Sequence, residues 1–332
     1  MSTTNAVQIV GVKDYTFEML MRIFKLADGY RDALAQRKFE ELKVLRNCLA
    51  FNYFYSPSTR TRTSFDVAME RLGMIVEWSE AAGQFSKTVQ GEILEHSVRI
   101  YCGYGADVFV LRHGDDDAAE RASVVCKEMG VPFLNAGSGS REHPTQFALD
   151  FYIMLQDLME RGLVEQITNR HVLAKRPINL LVSMDPEFGR TIRSVVRGLA
   201  RFLRPLRVWA WAPSILTLGE DILRELEDLG VPFEGYVTDV RRILPMIDIH
   251  YHQRPQYERM SPEKRKIVEM NEPSFKVGLH EMALLGGLLY HPMPIVNEVD
   301  RAVDTHPKAR YFPQAAWGLP VRMGNLVEVV RR

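Results

Sequence analysis

Residues 48–65 read CLAFNYFYSPSTRTRTSF, in which an apolar run passes directly into a stretch of hydroxyl side chains and arginines. The run CLAFNYFY has the length and the aromatic content of a buried strand. The residues that follow have a helical pattern, because Phe65, Met69 and Leu72 recur on one face at helical spacing. A strand, a polar turn and an amphipathic helix in succession form the repeating unit of a parallel α/β sheet, so this stretch predicts that class of fold.

The same alternation of short apolar runs and longer helical patterns extends through most of the chain. The predicted strands of a first sheet are 48–55, 73–78, 107–112 and 131–136, and those of a second sheet are 178–184, 206–212, 248–252 and 286–291. Helical patterns lie at 147–163, between the two sets, and at 189–203, 218–229, 262–270 and 314–331. We therefore predict an α/β fold of two doubly wound parallel-sheet domains bridged by helices. The domains are expected at 1–147, with a C-terminal helix of 310–332 packing back on it, and at 148–309.

The overall composition excludes several classes of partner. The chain has 332 residues with 42 basic and 42 acidic side chains, so no net charge attracts nucleic acid or an anionic membrane, and neither is an expected partner. Cys48, Cys102 and Cys126 lie in apolar stretches without the spacing of a zinc site, which favours reduced thiols in the core. The start has no leader pattern, and no run of about 18 apolar residues occurs. We expect a cytoplasmic protein without a membrane span.

The polar turn after the first predicted strand has the features of an anion site. In open α/β sheets ligands bind at the carboxyl ends of the strands, and the first amides of the next helix lack partners. Ser58, Thr59 and Thr61 add hydroxyl donors, and Arg60 adds a planar fork that fits phosphate oxygens. Two alternatives remain open on these residues alone: Ser58 only caps the helix while the arginines are solvated, or the stretch contacts nucleic acid.

Two more predicted strands end in polar residues. The strand 107–112 ends at Arg112, and the strand 131–136 leads into a loop with His143, which, with Pro144 and Gln146, opens the helical pattern that follows. A histidine at a helix start is more often a cap than a catalytic group. Since the carboxyl ends of parallel strands share one edge, however, the three loops are expected to converge on one crevice.

These segments carry a resemblance to a known family. FYSPSTRTRTSFDVAMERLG (54–73) resembles the carbamoyl-phosphate motif of the aspartate and ornithine carbamoyltransferases. Similar segments follow in the family's order: VLRHG, NAGSGSREHPTQFALD, DPEFGRTIRSV, QRPQYERM, HPMPIVNEVD and YFPQAAWGLPVRMGNLV. The resemblance covers nearly the whole chain from about residue 45. It is closer to the aspartate enzymes, because ornithine carbamoyltransferases have His-Cys-Leu-Pro where this chain has HPMP (291–294).

The resemblance implies roles for individual residues in the first domain, which becomes the carbamoyl-phosphate-binding domain. The residues implied to bind carbamoyl phosphate are Ser58, Thr59, Arg60, Thr61, Ser86, Gln90, Arg112, His143 and Gln146. Of these, Arg60, Thr61, Arg112 and His143 are the implied catalytic residues. When an amine attacks the carbamoyl carbon, fixed donors stabilise the charge that develops on the carbonyl oxygen. His143 is then a donor and not a nucleophile, and the departing phosphate accepts the proton.

The second domain is implied to bind L-aspartate. Arg190, Arg254 and Gln256 match positions that hold its two carboxylates, and Met293 and Pro294 would offer backbone carbonyls to the amine. Taken alone, Arg190 is more simply explained as a partner of Asp185 or Glu187, and Arg254 as a surface charge. The family also implies a homotrimer whose active sites are shared between subunits, with regulatory or partner chains possible. The implied reaction gives N-carbamoyl-L-aspartate for pyrimidine biosynthesis, and we expect no metal and no other cofactor.

Four residues depart from the family pattern: Gln90, Ile295, and Ser138 with Glu142, which replace the more usual acid and glutamine of their loop. Gln90 stands where a lysine reaches the neighbouring site, and a neutral donor lacks the charge that attracts phosphate. Ile295 stands where aspartate enzymes have arginine, and Glu142 would repel phosphate unless it is paired, for example with Arg141. Two other functions therefore stay open: a carbamoyltransferase with a different amino acceptor, and a catalytically weak structural partner of an active enzyme.

Overall fold

The computed structural model describes residues 6–80 and 93–331. The chain divides into two compact units. Unit 1 comprises Met1–Tyr152 and Trp317–Arg332, and unit 2 comprises Ile153–Ala316. Each has its own sheet, wholly parallel in unit 1 and mainly parallel in unit 2, which confirms the predicted α/β class. Among the described residues, none of the helices combines the length and the hydropathy that crossing a bilayer requires.

Unit 1 is built on a five-stranded parallel sheet with the strand order β1-β5-β4-β2-β3. Its strands are β1 (Gln8–Ile9), β2 (Leu49–Phe54), β3 (Ile75–Glu80), β4 (Val108–His113) and β5 (Phe133–Ser138). Phe54 of β2 is in register with Arg112 of β4. The carboxyl ends of these neighbouring strands therefore lie side by side, as the sequence predicts.

The helices of unit 1 follow from its apolar periodicity. They are α1 (Phe17–Ala35), α2 (Phe39–Leu42), α3 (Thr59–Leu72), α4 (Leu94–Gly103), α5 (Ala118–Glu128), α6 (Pro144–Glu160, which continues into unit 2) and α12 (Gly318–Val330). In α3, Phe65, Met69 and Leu72 are buried on one face, as predicted. The helix ends at Gly73, whose φ of +82° is the left-handed conformation that favours glycine at a helix end.

The core of unit 1 includes a cluster of β-sheet residues with α4 and α5. Phe109 and Phe133 are fully buried there. The thiols of Cys102 and Cys126 lie 3.8 Å apart in the same cluster, and both are free. Cys48 is free but only partly buried, so the expected core position fits two of the three cysteines.

Unit 2 has a six-stranded sheet in which β11-β10-β7-β8-β9 are parallel and β6 pairs with β7 in the antiparallel sense. The strands are β6 (Val164–Ile167), β7 (Val172–Ser183), β8 (Leu203–Trp211), β9 (Phe233–Tyr236), β10 (Ile249–His252) and β11 (Leu288–Tyr290). The central strands β7 and β10 are buried on both faces over Leu180–Ser183 and Ile249–His252. This burial accounts for the apolar run Leu180–Val182 of β7.

The helices of unit 2 are α7 (Arg190–Phe202), α8 (Glu220–Asp228), α9 (Pro262–Asn271), α10 (Leu279–Leu284) and α11 (Tyr311–Ala316). Short 3-10 turns lie at Val240–Arg242, Leu244–Met246, Tyr257–Arg259, Glu272–Phe275 and Arg301–Val303, and Val12–Asp14 is a similar turn in unit 1. The predicted final helix of 314–331 is divided between α11 and α12, which belong to different units.

Candidate active site

The amino end of α3 follows the carboxyl end of β2 directly. Ser58 is the N-cap residue, and its backbone carbonyl accepts a hydrogen bond from the amide of Arg62 at 3.0 Å. Its hydroxyl makes no capping bond, so the capping alternative does not describe this side chain. The first turn contains no acidic residue. The helix dipole and the first amides therefore favour an anion at this end of α3.

The residues of this turn divide into exposed and buried donors. Thr59 and Arg60 are exposed, whereas Thr61 is buried. The hydroxyl of Ser56 is buried and has no hydrogen-bond partner among the described residues, a feature that its place in the sequence does not indicate. Arg62 instead pairs with Asp66 at 3.1 Å and lies over the ring of Trp78. The two arginines of the motif thus differ, and Arg62 has a structural role.

Arg112 joins the ends of β4 and β5. Its Nη1 donates to the carbonyl oxygen of Ala136 at 3.0 Å, and its own carbonyl accepts from the amide of Tyr55 at 2.8 Å. The side chain is half-buried. These contacts fix the guanidinium at the edge where β2, β4 and β5 end, as the sequence predicts for a convergent arginine.

His143 is buried at the start of α6, with 3% of its surface exposed. Its carbonyl accepts from the amides of Gln146 and Phe147, which begin the helix, and its Nδ1 lies 3.4 Å from the hydroxyl of Thr145. The backbone around it is therefore fixed by the helix, and the ring is held in the loop that follows β5.

Gln146 is committed at both ends of its side-chain amide. Its Nε2 donates to Asp150 at 2.8 Å, and its Oε1 accepts from Arg322 of α12 at 3.4 Å. All three side chains are buried. Burial lowers the pKa of Arg322 to about 10, while Asp150 and Tyr15 oppose that shift. Sequence reasoning missed Arg322, although it lies in the last segment that carried the resemblance.

The loop between β5 and α6 is held by acidic residues. Asp116 accepts from the amide of Ser140 at 2.6 Å and from its hydroxyl. Gly139 has a φ of +45°, and a Cβ there would lie 1.8 Å from Oδ1 of Asp116. Glu142 accepts from the amide of Val12 at 2.7 Å, while Arg141 pairs with Glu120. The carboxylate of Glu142 thus has a backbone donor, and Arg141 has an acidic partner on α5.

In unit 2, Arg190 is the first residue of α7 and follows the carboxyl end of β7. The carboxylates that the sequence offered as its partners have other partners. Asp185 accepts from the amides of Phe188 at 2.9 Å and Gln256 at 2.7 Å, and Glu187 pairs with Lys264 at 2.7 Å. Burial raises the pKa of Asp185 to about 6, although both amide bonds oppose the shift.

Arg254 and Gln256 follow the carboxyl end of β10. Arg254 is half-buried and pairs with Glu258 through both terminal nitrogens, at 2.6 and 3.2 Å. The backbone of Gln256 is fixed, because its main-chain N–H donates to the carboxylate of Asp185. Asp185 thus connects the loop after β7 to the loop after β10, and so connects the surroundings of Arg190 with those of Gln256.

Met293 and Pro294 follow β11 in a segment that a buried acid–imidazole pair supports. Met293 has a φ of +62°, and its amide donates to Nδ1 of His291 at 2.9 Å. The Nε2 of His291 lies 2.9 Å from Oε1 of Glu298. Burial raises the pKa of Glu298, but the hydrogen bonds from His291 and the backbone outweigh burial and lower that pKa to about 2. The carboxylate therefore stays ionised.

Two further histidines form a buried chain with Ser183. Nε2 of His252 lies 3.1 Å from the carbonyl of Glu298, so this nitrogen donates and Nδ1 must accept. Nδ1 then accepts the hydroxyl proton of Ser183 at 2.6 Å, and that oxygen accepts from Nε2 of His250 at 2.7 Å. Burial lowers the pKa of both rings, that of His252 to about 3, so both stay neutral near pH 7.

Two predicted site residues, Ser86 and Gln90, lie outside the described residues. Within residues 6–80 and 93–331, no group of three or more His, Cys, Asp or Glu side chains is arranged to hold a metal ion.

Chemically, unit 1 offers a helix start that suits an anion, with Arg112 and His143 on the same edge of its sheet. Unit 2 offers two arginines, Arg190 and Arg254, which suit a dicarboxylate.

These features are those of an α/β protein of two units, with a polar helix start beside Arg112 in unit 1 and arginines after the strand ends of unit 2. Comparison with known proteins agrees with this class. The model of the carbamoyl-P binding domain of aspartate/ornithine carbamoyltransferases matches residues 8–156. The aspartate carbamoyltransferase catalytic subunit of Archaeoglobus fulgidus is 32% identical over 326 residues, which cover 97% of this chain and 98% of that protein. The chloroplastic aspartate carbamoyltransferase 3 of Pisum sativum is 31% identical over 96% of this chain and 76% of its own length.

Solved structures give the same result. The catalytic subunit of the aspartate transcarbamoylase of Methanocaldococcus jannaschii superposes with a TM-score of 0.81 at 32% identity, covering 98% of each chain. The aspartate transcarbamoylase of Trypanosoma cruzi, in complex with carbamoyl phosphate and aspartate, has a TM-score of 0.84 at 26% identity and covers 99% of this chain and 97% of its own. The chain belongs to the aspartate/ornithine carbamoyltransferase family.

Proposed function

We propose that this protein transfers the carbamoyl group of carbamoyl phosphate to the amino group of L-aspartate, giving N-carbamoyl-L-aspartate and phosphate in pyrimidine biosynthesis. One observation carries the proposal: the amino end of α3, Arg112 and His143 lie at neighbouring strand ends of unit 1. The same substrates occupy the Trypanosoma cruzi relative, and the aspartate carbamoyltransferase of Archaeoglobus fulgidus matches over nearly its full length.

In this proposal the phosphate binds at the start of α3. Ser58, Thr59, Arg60 and Thr61 supply hydroxyl, amide and guanidinium donors to its oxygens. Thr61 is buried, and its position fits a donor near the carbamoyl end. Ser86 and Gln90 are included on the family pattern alone. The protein needs no general base here, because the phosphate itself takes the proton.

The transfer step is an addition followed by an elimination. The amine lone pair of aspartate forms a bond to the carbamoyl carbon, and the bond from that carbon to the phosphate oxygen then breaks. Negative charge grows on the carbonyl oxygen between these events, and Arg112 and His143 donate to it. Removing one such donor costs on the order of a hundredfold in rate. Gln146 contributes a fixed amide, which Asp150 and Arg322 orient.

Unit 2 provides the acceptor groups in this proposal. Arg190 and Arg254 bind the two carboxylates of aspartate. Asp185 fixes the backbone of Gln256 by accepting from its main-chain N–H. A charge-assisted hydrogen bond of this kind contributes about 1.5–3 kcal/mol. Met293 and Pro294 present carbonyl oxygens to the amine hydrogens, which aligns the lone pair for attack.

We further propose a homotrimer as the working form, with further subunits or regulatory chains not required for the chemistry. Unit 1 exposes several large apolar side chains on its edge strand β3 and on α4. They are Ile75 and Trp78, each 55% exposed, and Ile100 and Tyr104. A strand that lies at the edge of the sheet among the described residues, and that exposes apolar side chains, fits a contact with a second copy. The cytoplasmic location is part of the same proposal, while the pea relative is named as chloroplastic.

The test of the reaction is phosphate release by the purified protein with carbamoyl phosphate and a panel of amino acceptors. Turnover with L-aspartate and formation of N-carbamoyl-L-aspartate are expected. Turnover only with another amine would show that aspartate is not the acceptor. Ile295, which stands where aspartate enzymes have arginine, is the reason for testing other acceptors. Absence of turnover with every acceptor would contradict the proposal and favour a structural partner.

A further inference from the structure

The segment 291–298 is organised by one buried pair of side chains. His291 and Glu298, which are 1% and 0% exposed, together receive three backbone amides of this segment. Met293 donates to Nδ1 of His291 at 2.9 Å, and Val296 and Asn297 donate to Oε2 of Glu298 at 3.0 and 2.9 Å. The second carboxylate oxygen lies against Nε2 of the same ring.

The protonation state of the ring follows from these contacts. Because Nδ1 of His291 accepts from an amide, the ring proton must be on Nε2, where it faces Oε1 of Glu298. A ring with its proton on Nδ1 could not accept from Met293. Only the tautomer of His291 with its proton on Nε2 can keep the contact with the amide of Met293. The adjacent carboxylate of Glu298 stabilises that tautomer.

The turn needs this support. Met293 has a φ of +62°, a conformation that few residues with a side chain adopt and that persists only where its surroundings determine it. The backbone carbonyl of Glu298 also accepts from His252, which begins the chain through Ser183 to His250. The segment is thus tied to the ends of β7 and β10 as well as to β11.

We propose that His291 and Glu298 are positioning residues for the amino acceptor: they hold Met293 and Pro294 in the one backbone arrangement in which their carbonyl groups receive the attacking amine. This inference rests on the proposed function. The pair does not contact the reacting atoms itself. Its effect arises because a displacement of about 1 Å in a group that orients a substrate can cost about a hundredfold in rate.

The variant His291→Gln separates positioning from a structural role. The glutamine amide reaches the place of Nε2 beside Glu298, but it has no acceptor for the amide of Met293. We expect the KM for aspartate to rise about tenfold, or kcat to fall by a similar factor, with unchanged affinity for carbamoyl phosphate. His306→Gln is the matched control, because Nδ1 of His306 also accepts from a backbone amide two residues on, that of Lys308 at 3.2 Å. That variant is expected to have wild-type kinetics.

Two results separate this inference from the proposed function. No aspartate turnover by the wild-type protein overturns the proposed function, whereas wild-type turnover with an unaltered KM and kcat in His291→Gln overturns only the positioning role. If the variant does not fold, nitrogen-15 NMR of the wild-type ring decides. A bare Nδ1 and a protonated Nε2 on His291 support the arrangement, and the opposite tautomer overturns it.

Discussion

The guanidinium of Arg254 and the carboxylate of Glu258 form a two-point ion pair, in which Nη2 lies 2.6 Å from Oε1 and Nη1 lies 3.2 Å from Oε2. The arginine side chain is 26% exposed and the glutamate 53%. The ion pair orients Arg254, which follows β10. The carboxylate of Glu258 is exposed enough that a substrate carboxylate can share the guanidinium with it or displace it. In the proposed function, Arg254 is thereby oriented for a carboxylate of aspartate.

Arg254→Ala should raise the KM for aspartate by about ten- to a hundredfold, since it removes a charge-assisted bond worth about 1.5–3 kcal/mol. The affinity for carbamoyl phosphate should not change, because those groups belong to unit 1. Steady-state kinetics with each substrate varied measures both. Arg224→Ala, which breaks another one-turn pair with a glutamate, Glu220, is the control and should leave both constants unaltered. An unchanged KM for aspartate in Arg254→Ala would remove this residue from the site.

Gly139→Ala should disturb the loop that carries His143. The new Cβ would overlap Asp116, which holds Ser140, so the loop must move and kcat should fall at least tenfold. Gly130→Ala is the matched control. Its φ of +71° is also left-handed, but nothing lies within 4 Å of a Cβ there. It should lose only about 1–2 kcal/mol of stability with its kinetics retained. Equal kcat values for the two variants would contradict the role of Asp116 in fixing the loop.

The buried carboxyl of Asp185 should make the stability of the protein depend on pH. Its pKa is about 6 in the folded state against 3.8 in the unfolded reference, so the folded state binds more protons between these values. The contribution of this group is fully present below pH 3.8 and is lost as the pH rises through 6. The loss is on the order of 3 kcal/mol.

Chemical denaturation of wild type and Asp185→Asn between pH 4 and pH 7 tests this sign. The wild-type free energy of unfolding should fall relative to that of the variant as the pH rises. If the difference in free energy of unfolding between wild type and variant stays constant, or changes in the opposite direction, the pKa of Asp185 is not raised in the folded state.

The exposed edge of unit 1 should determine the assembly. Trp78→Glu replaces an exposed apolar side chain of the edge strand β3 by a charge and should shift the protein from trimers toward monomers in sedimentation velocity. Phe312→Glu, at a side chain of similar exposure (50%) in unit 2, should leave the assembly unaltered. A wild-type protein that sediments as a monomer at micromolar concentration would contradict the trimer itself.

Much of the architecture could be predicted from the sequence, because the central strands are buried on both faces. The eight predicted strands all correspond to observed strands, and the helix after residue 58 begins where its hydroxyl-rich turn predicts. The missed strands β1, β6 and β9 are short edge strands with polar or half-exposed residues, such as Glu165 and Gln166 of β6. Such segments lack the apolar run that marks a buried strand.

The site residues divide in the same way. Strand ends and helix starts can be read from sequence, so the positions of Ser58, Arg112 and His143 at one sheet edge could be expected. Contacts between distant segments could not. Nothing local to Gln146 indicates that Arg322 accompanies it, or that Val12 binds Glu142. The alternation of His250 and His252 on one strand was a visible signal for the buried chain with Ser183, but alternation alone does not identify the partner.

The central claim is that carbamoyl phosphate binds at the start of α3 through Arg60. The most direct measurement is calorimetric titration of carbamoyl phosphate into the wild-type protein and Arg60→Ala, without aspartate. Wild type should bind, and the variant should bind at least about tenfold more weakly with an unchanged melting temperature, since the exposed side chain carries the charge-assisted bonds. Arg99→Ala, at an exposed arginine of α4, should bind as wild type does. Equal affinities of wild type and Arg60→Ala would contradict the account.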